Sequence, residues 1–160
     1  MSERTSLRPR HWLAPVLFTF ALSAAAVADP PARVVYHINF DDPSHQINAL
    51  HNLENQINAA DRRIKLLVML HGAGLSLLLY PEALDHTAGM RLANGDQEML
   101  ARIDHLRDLG VRFLVAANSA RRHHIDPFSD LHGVDPGDMV PSALLELTQL
   151  QQQGYIYIKP

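Results

Sequence analysis

Ile64-Lys-Leu-Leu-Val-Met-Leu70, followed at once by His71-Gly72-Ala73-Gly74, is the stretch that decides the fold. A nearly continuous apolar run of this length suits a strand covered on both faces, as in a parallel sheet flanked by helices. The glycines after it permit a tight turn or a close backbone approach. Upstream, Arg33-Val-Val-Tyr-His-Ile-Asn-Phe40 is β-branched and aromatic and predicts a first strand over Val34–Ile38. Between the two, Asp42 is placed to cap a helix. Pro43 fits the first helical position, where its missing N–H has no intrahelical partner. Ile47, Leu50, Leu53 and Ile57 then keep a helical period to about Ala60.

Downstream, Leu75–Leu79 reads as a short strand. Tyr80–Gly95 is broken by Pro81, Gly89 and Gly95 and reads as loop with a helical turn. Asp96–Leu109 predicts a helix with Met99, Leu100, Ile103 and Leu106 on one face and Gly110 as its stop. Val111–Ala117 is the next strand, and 119–138 reads as loops and short helical turns. Pro141–Gln153 predicts a last helix with Leu144, Leu145 and Leu147 facing inward, and Tyr155–Lys159 a closing strand. This alternation predicts an α/β domain with a mostly parallel sheet and helices on both faces. Ligands in such sheets sit beyond the carboxyl ends of the strands. Those ends carry His37, Asn39, His71, Gly72, Asn118 and Ser119, which form the candidate ligand-binding set. The competing reading is that Asn, Ser and Gly there only make turns.

A chain of 160 residues, 47% apolar and 19% charged, suits one globular domain. With 17 acidic against 14 basic residues it lacks the basic balance of a nucleic-acid binder. The absence of cysteine excludes disulfides, thiolate zinc sites, iron–sulfur clusters and every thiol mechanism. Residues 1–28 read as a secretory signal peptide: Arg4, Arg8 and Arg10 precede an apolar stretch from Trp12, and Ala26-Val27-Ala28 offers small residues to a signal peptidase. An uncleaved anchor is the competing reading, opposed by the short stretch and by Pro15 within it. The expectation is therefore a periplasmic domain over 29–160 with no membrane association after cleavage.

Val35-Tyr-His-Ile-Asn39, Val68-Met-Leu-His-Gly72, Gly110-Val-Arg-Phe-Leu-Val115 with Asn118-Ser119, and the ending Gln151-Gln-Gln-Gly-Tyr-Ile-Tyr-Ile-Lys-Pro160 together resemble the DsrE/DsrF-like family over about Arg33–Pro160. The resemblance implies a three-layer α/β/α domain with a five-stranded parallel sheet, often assembled as trimers or hexamers. It also implies sulfur metabolism, since the Dsr and Tus systems relay sulfur as a cysteine persulfide. Many relatives carry that cysteine in a Val-Cys-x-Asn-Thr-like context. The matching segment here is Val115-Ala116-Ala117-Asn118-Ser119, so a methyl group at Ala116 stands where the thiolate is required.

Other chemistries find little pattern. Imidazole suits zinc, copper or nickel, and His37, His71, His123, His124 and His132 lie at or after strand ends, but no metal-ligand spacing joins them. Ser76, Ser119 and Ser142 lack the Gly-x-Ser-x-Gly elbow, and His71-Gly72-Ala73-Gly74 lacks a phosphate loop's Lys-Ser/Thr ending. Arg121-Arg122-His123-His124 has the composition to grip an oxyanion, although a solvated basic face is the commoner meaning of such a run. Loss of residues 1–28 leaves a formal charge of −5 and nine histidines, so full protonation predicts +4 on mild acidification. The sequence thus predicts an exported, self-associating binding module that takes a small ligand, without cofactor or thiol-based sulfurtransferase activity. The alternative is a metal-binding protein or enzyme using His37 and His71.

Overall fold

Alternate residues of the central strands sort into two separate cores, one on each face of a sheet. In this computed structural model, residues 30–61 and 63–160 are described; the predicted signal segment lies outside them. Strands β1 (Ala32–Ile38), β2 (Ile64–Leu70), β3 (Arg112–Ala116), β4 (Met139–Val140) and β5 (Ile156–Ile158) pair in the order β4-β3-β2-β1-β5. Every pairing is parallel. Helices α1 (Pro43–Ala59), α2 (Gln97–Asp108), α3 (Ala117–Arg122) and α4 (Ala143–Gln152) complete the layers. This is the expected three-layer α/β/α arrangement with a five-stranded sheet.

The larger core joins Val34, Tyr36 and Ile38 of β1, Leu66, Val68 and Leu70 of β2, and Phe113 and Val115 of β3 to α1 and α2. The smaller joins Val35, Leu67, Met69, Leu114 and Ala116 to Ala143, Leu147 and Leu150 of α4. The period of two along each strand makes this division. α1 begins where the sequence places it: the Asp42 carboxylate accepts from the His45 amide at 2.7 Å, and Pro43 starts the helix.

Three expectations change. Leu75–Leu79 is not a strand: Gly72–Leu77 forms a 3-10 helix, and Leu79 makes one isolated antiparallel bridge to Leu131. Leu75, Leu77, Leu78 and Leu79 are fully buried, and a wholly buried run carries no period that separates strand from helix. Gly72 turns the chain with φ +56°, and Gly74 lies so close to the Ile38 carbonyl that a Cβ would clash with it. Second, β4 is only two residues long, too short for any pattern to mark, within 119–138 and its exit. Third, Leu144 and Leu145 face outward, 65% and 54% exposed, and not inward with Leu147. Ala143, Leu147 and Leu150 form the buried stripe at helical spacing, and about 100° per residue turns Leu145 to the opposite side.

A buried polar network ties the loop after β1 to the rest. Gln46 Nε2 donates to Phe40 O at 2.7 Å and to Ser76 Oγ at 2.9 Å. Asn94 Nδ2 donates to Gln46 Oε1 and to Asp41 O, each at 2.8 Å. Arg91 grips the Asp41 carboxylate with Nε at 3.2 Å and Nη2 at 2.9 Å. These bonds hold the exit of β1, and hence the position of the residues at its end.

Candidate functional site

On the face that α4 covers, the strand ends set a row of side chains beside one another. Val35 and His37 of β1 face α4, and the register pairs Val35 with Tyr157 of β5 and His37 with Met69 of β2. Leu70 pairs with Val115, so the next residue along, His71, stands beside Ala116, the last of β3. Tyr157, His37, His71 and Ala116 thus line the carboxyl edge of four adjacent strands.

Three of the four are joined by hydrogen bonds. His37 Nδ1 lies 2.9 Å from Tyr157 Oη, and His37 Nε2 lies 3.4 Å from His71 Nδ1. Two polarities satisfy the chain. Either Tyr157 donates to His37 and His37 to His71, or His71 donates to His37 and His37 to the phenol oxygen. Both need a neutral His37, because one of its two engaged nitrogens must accept; the second is also met by a charged His71. Burial, with help from His71 and Lys159, pushes the His37 imidazolium down to about 4. Burial also lowers His71, followed by the charges of Arg122, His123 and Lys159. Both shifts oppose the charge expectation: a His37 held neutral takes one charge from the +4 of the chain from Asp29, and His71 moves in the same direction.

Beside the pair, α4 and the sheet leave an open cleft of about 300 Å³ lined by His37, Leu144, Leu147, Thr148, Gln151 and Tyr157. The outward turn of Leu144 puts an apolar wall on it. Of the six residues predicted from strand ends, the fold brings His37 and His71 into contact. Gly72 and Ser119 meet through a different bond, the Gly72 amide donating to Ser119 Oγ at 3.0 Å. This bond pins the turn after β2 to α3. Asn118 is exposed, and its backbone amide donates to Pro141 O at 3.3 Å. Asn39 is half-buried at the close approach with Gly74. Among the described residues neither asparagine side chain makes a hydrogen bond to the histidine pair.

Tyr157, Thr148, Gln151 and Lys159 escape a reading by strand ends. Tyr157 enters because β5 pairs with β1 two residues short of His37, a register that periodicity does not reveal. Arg122 belongs to the basic run singled out in the sequence; its charge reaches His71 because α3 follows β3 directly. Among the described residues no cluster of three His, Cys, Asp or Glu side chains surrounds the pair. No described helix is long and apolar enough to cross a membrane.

Ala116 itself is fully buried at the end of β3, with α3 beginning at the next residue. A search of curated proteins finds no match to the chain. A family model does match, that of the DsrE/DsrF-like family, over residues 18–160. With nearly the whole chain matched and a parallel five-stranded sheet of the implied architecture, the protein belongs to the DsrE/DsrF-like family.

Proposed function

We propose that this protein is an exported binding module of the DsrE/DsrF-like fold, taking a small ligand at the cleft beside His37 and Tyr157 and working in envelope sulfur metabolism without carrying sulfur itself. The observation that supports it is the pairing at the strand ends: Ala116 stands where the family resemblance expects the persulfide cysteine, and the neighbouring His71, His37 and Tyr157 form a connected polar row beside an open cleft. A methyl group neither attacks a sulfane sulfur nor holds one. Neutral imidazoles and a phenol do bind and orient a ligand by hydrogen bonds. Sulfur metabolism enters through the family alone, since a fold does not carry its chemistry with it.

Self-association belongs to the same reading. α4 presents Leu144 and Leu145 to solvent, and β5 is an edge strand with Tyr157 39% exposed. Apolar surface of this kind beside an open sheet edge suits coverage by a second copy. Native mass spectrometry of the purified protein tests both parts. An oligomer retaining a small molecule that a His71→Gln variant fails to retain supports the proposal. A ligand-free monomer overturns it. A thiosulfate:cyanide sulfurtransferase assay is expected to show no turnover above buffer, and sustained turnover would place the chemistry elsewhere in this thiol-free chain.

A further inference from the structure

Tyr157 lines the cleft, and its Oη has one partner among the described residues, His37 Nδ1 at 2.9 Å. His37 Nε2 in turn meets His71 Nδ1 at 3.4 Å, the longer link, as is common in unliganded sites. His71 Nε2, on the other side of that ring, makes no hydrogen bond among the described residues. It is not sealed off either, since the buried side-chain atoms without a partner are Gln56 Oε1 and Arg102 Nε. The row therefore runs from a phenol on the cleft to an imidazole nitrogen within reach of water at the strand ends. None of the described residues lining the cleft is Asp, Glu, Lys or Arg: Leu144 and Leu147 give it an apolar wall, Thr148 and Gln151 a polar one. Thr148 Oγ1 donates to Leu144 O and Gln151 Nε2 to Leu147 O. The hydroxyl keeps its acceptor capacity, and the amide keeps a second N–H and its oxygen.

We propose that the Tyr157–His37–His71 row is a proton relay, with Tyr157 the acid–base group of the cleft and a small uncharged weak acid, an X–H group on an apolar body, as its substrate class. This rests on the ligand-binding reading above and adds a reaction to it. The phenol oxygen takes the proton of X–H while its own O–H proton passes to His37 Nδ1. His37 gives its Nε2–H to His71 Nδ1, and His71 releases its Nε2–H to water. The X–H bond breaks, its electron pair stays on X, and the row ends in the second of its two polarities; the reverse sequence delivers a proton. A reacting oxygen held by a base, with a third group orienting that base, is the arrangement that activates a side chain. The titratable and charged groups facing His37 are Tyr157 of β5, His71 after β2 and Lys159 beyond β5. Those facing His71 add Arg122 and His123 from the end of α3, while α4 turns neutral side chains to the cleft. Burial, then these charges, lower His71, which favours release of the proton to water over storage on the ring.

The probe is phenylmethanesulfonyl fluoride, neutral and apolar. Peptide mass spectrometry locates the label, and its rate is followed against pH. The phenol oxygen forms the S–O bond, the S–F bond breaks, fluoride leaves and the phenol proton goes to His37. Without a base, a phenol reacts about tenfold more slowly for each unit the pH falls below the ordinary value near 10. With the relay, labelling of Tyr157 is expected to stay level from about pH 8 to about pH 5 and to fall only toward about 4, where His37 charges. At neutral pH the native protein is expected to label at Tyr157 on the order of a hundredfold faster than the urea-unfolded chain. His37→Gln is expected to remove that excess and restore the tenfold slope, and His71→Gln to lower the level rate severalfold. A tenfold slope in the native wild type overturns the proposal, and it decides even where His37→Gln fails to fold. An excess that survives His37→Gln in folded protein also overturns it. A retained molecule on a protein whose Tyr157 labels no faster than the unfolded chain sinks the relay and leaves the binding module standing. Level, fast labelling on a protein that retains nothing supports the relay and counts against the binding module.

Discussion

Gln46 has no exposed surface, yet it is a polar side chain on an otherwise apolar helix face. Its place is explained by what its amide joins: Phe40 O, Ser76 Oγ and Asn94. Gln46→Ala is expected to cost about 3 kcal/mol, because it leaves buried partners unpaired as well as a void. A urea denaturation midpoint lowered by less than a third of that would show that water replaces the amide. The two glycines after β2 differ in kind. Gly74→Ala drives a methyl group into the Ile38 backbone and is expected to cost about 3 kcal/mol, whereas Gly72→Ala meets open space and costs only the left-handed φ, about 1–2 kcal/mol. Equal losses in the two variants would contradict the close approach.

His37 makes stability depend on pH at this same scale. Its folded value of about 4 lies below the ordinary value near 6.5, so between these the unfolded chain binds more protons than the native one. Stability from this residue is therefore full above about pH 6.5 and falls as the pH drops toward 4. In chloride buffer the melting temperature of the wild type should fall through that window, and His37→Gln should flatten the fall. A slope unchanged by the substitution would assign the effect to other groups.

At the scale of elements, α4 carries the most consequence. Among the described helices it alone covers one face of the sheet, burying Ala143, Leu147 and Leu150 while offering Leu144 and Leu145 outward. Leu144→Glu is expected to leave folding within about 0.5 kcal/mol of wild type, since the side chain is largely exposed, and to dissociate the proposed assembly. Light scattering decides this, and an unchanged mass would move the interface to another surface. The helix is also where sequence reading failed. Leu144, Leu145 and Leu147 cannot share one face of a helix, and the inward stripe became legible only from Leu147 and Leu150 together. α1 shows the opposite case, with cap, Pro at the first position and apolar stripe all local to the chain and all observed.

Across the whole molecule, the chain from Asp29 carries a formal −5 with its nine histidines neutral, so six of them must charge before the sign reverses. The electrophoretic mobility of the chain from Asp29 should change sign between about pH 7 and about pH 5, less readily than if His37 were free to charge. Anodic migration throughout would mean that more of the histidines are held neutral.

The order of strands and helices apart from Leu75–Leu79 and β4, the caps and glycine stops, the missing thiol and the strand ends that carry His37 and His71 were legible in the chain, because hydrophobic period, capping and residue chemistry are local properties. The order β4-β3-β2-β1-β5, the two-residue β4 and the contacts of His37 with Tyr157 and His71 were decided only by the tertiary structure. These depend on register and packing between segments up to 120 residues apart, where no single stretch holds the information.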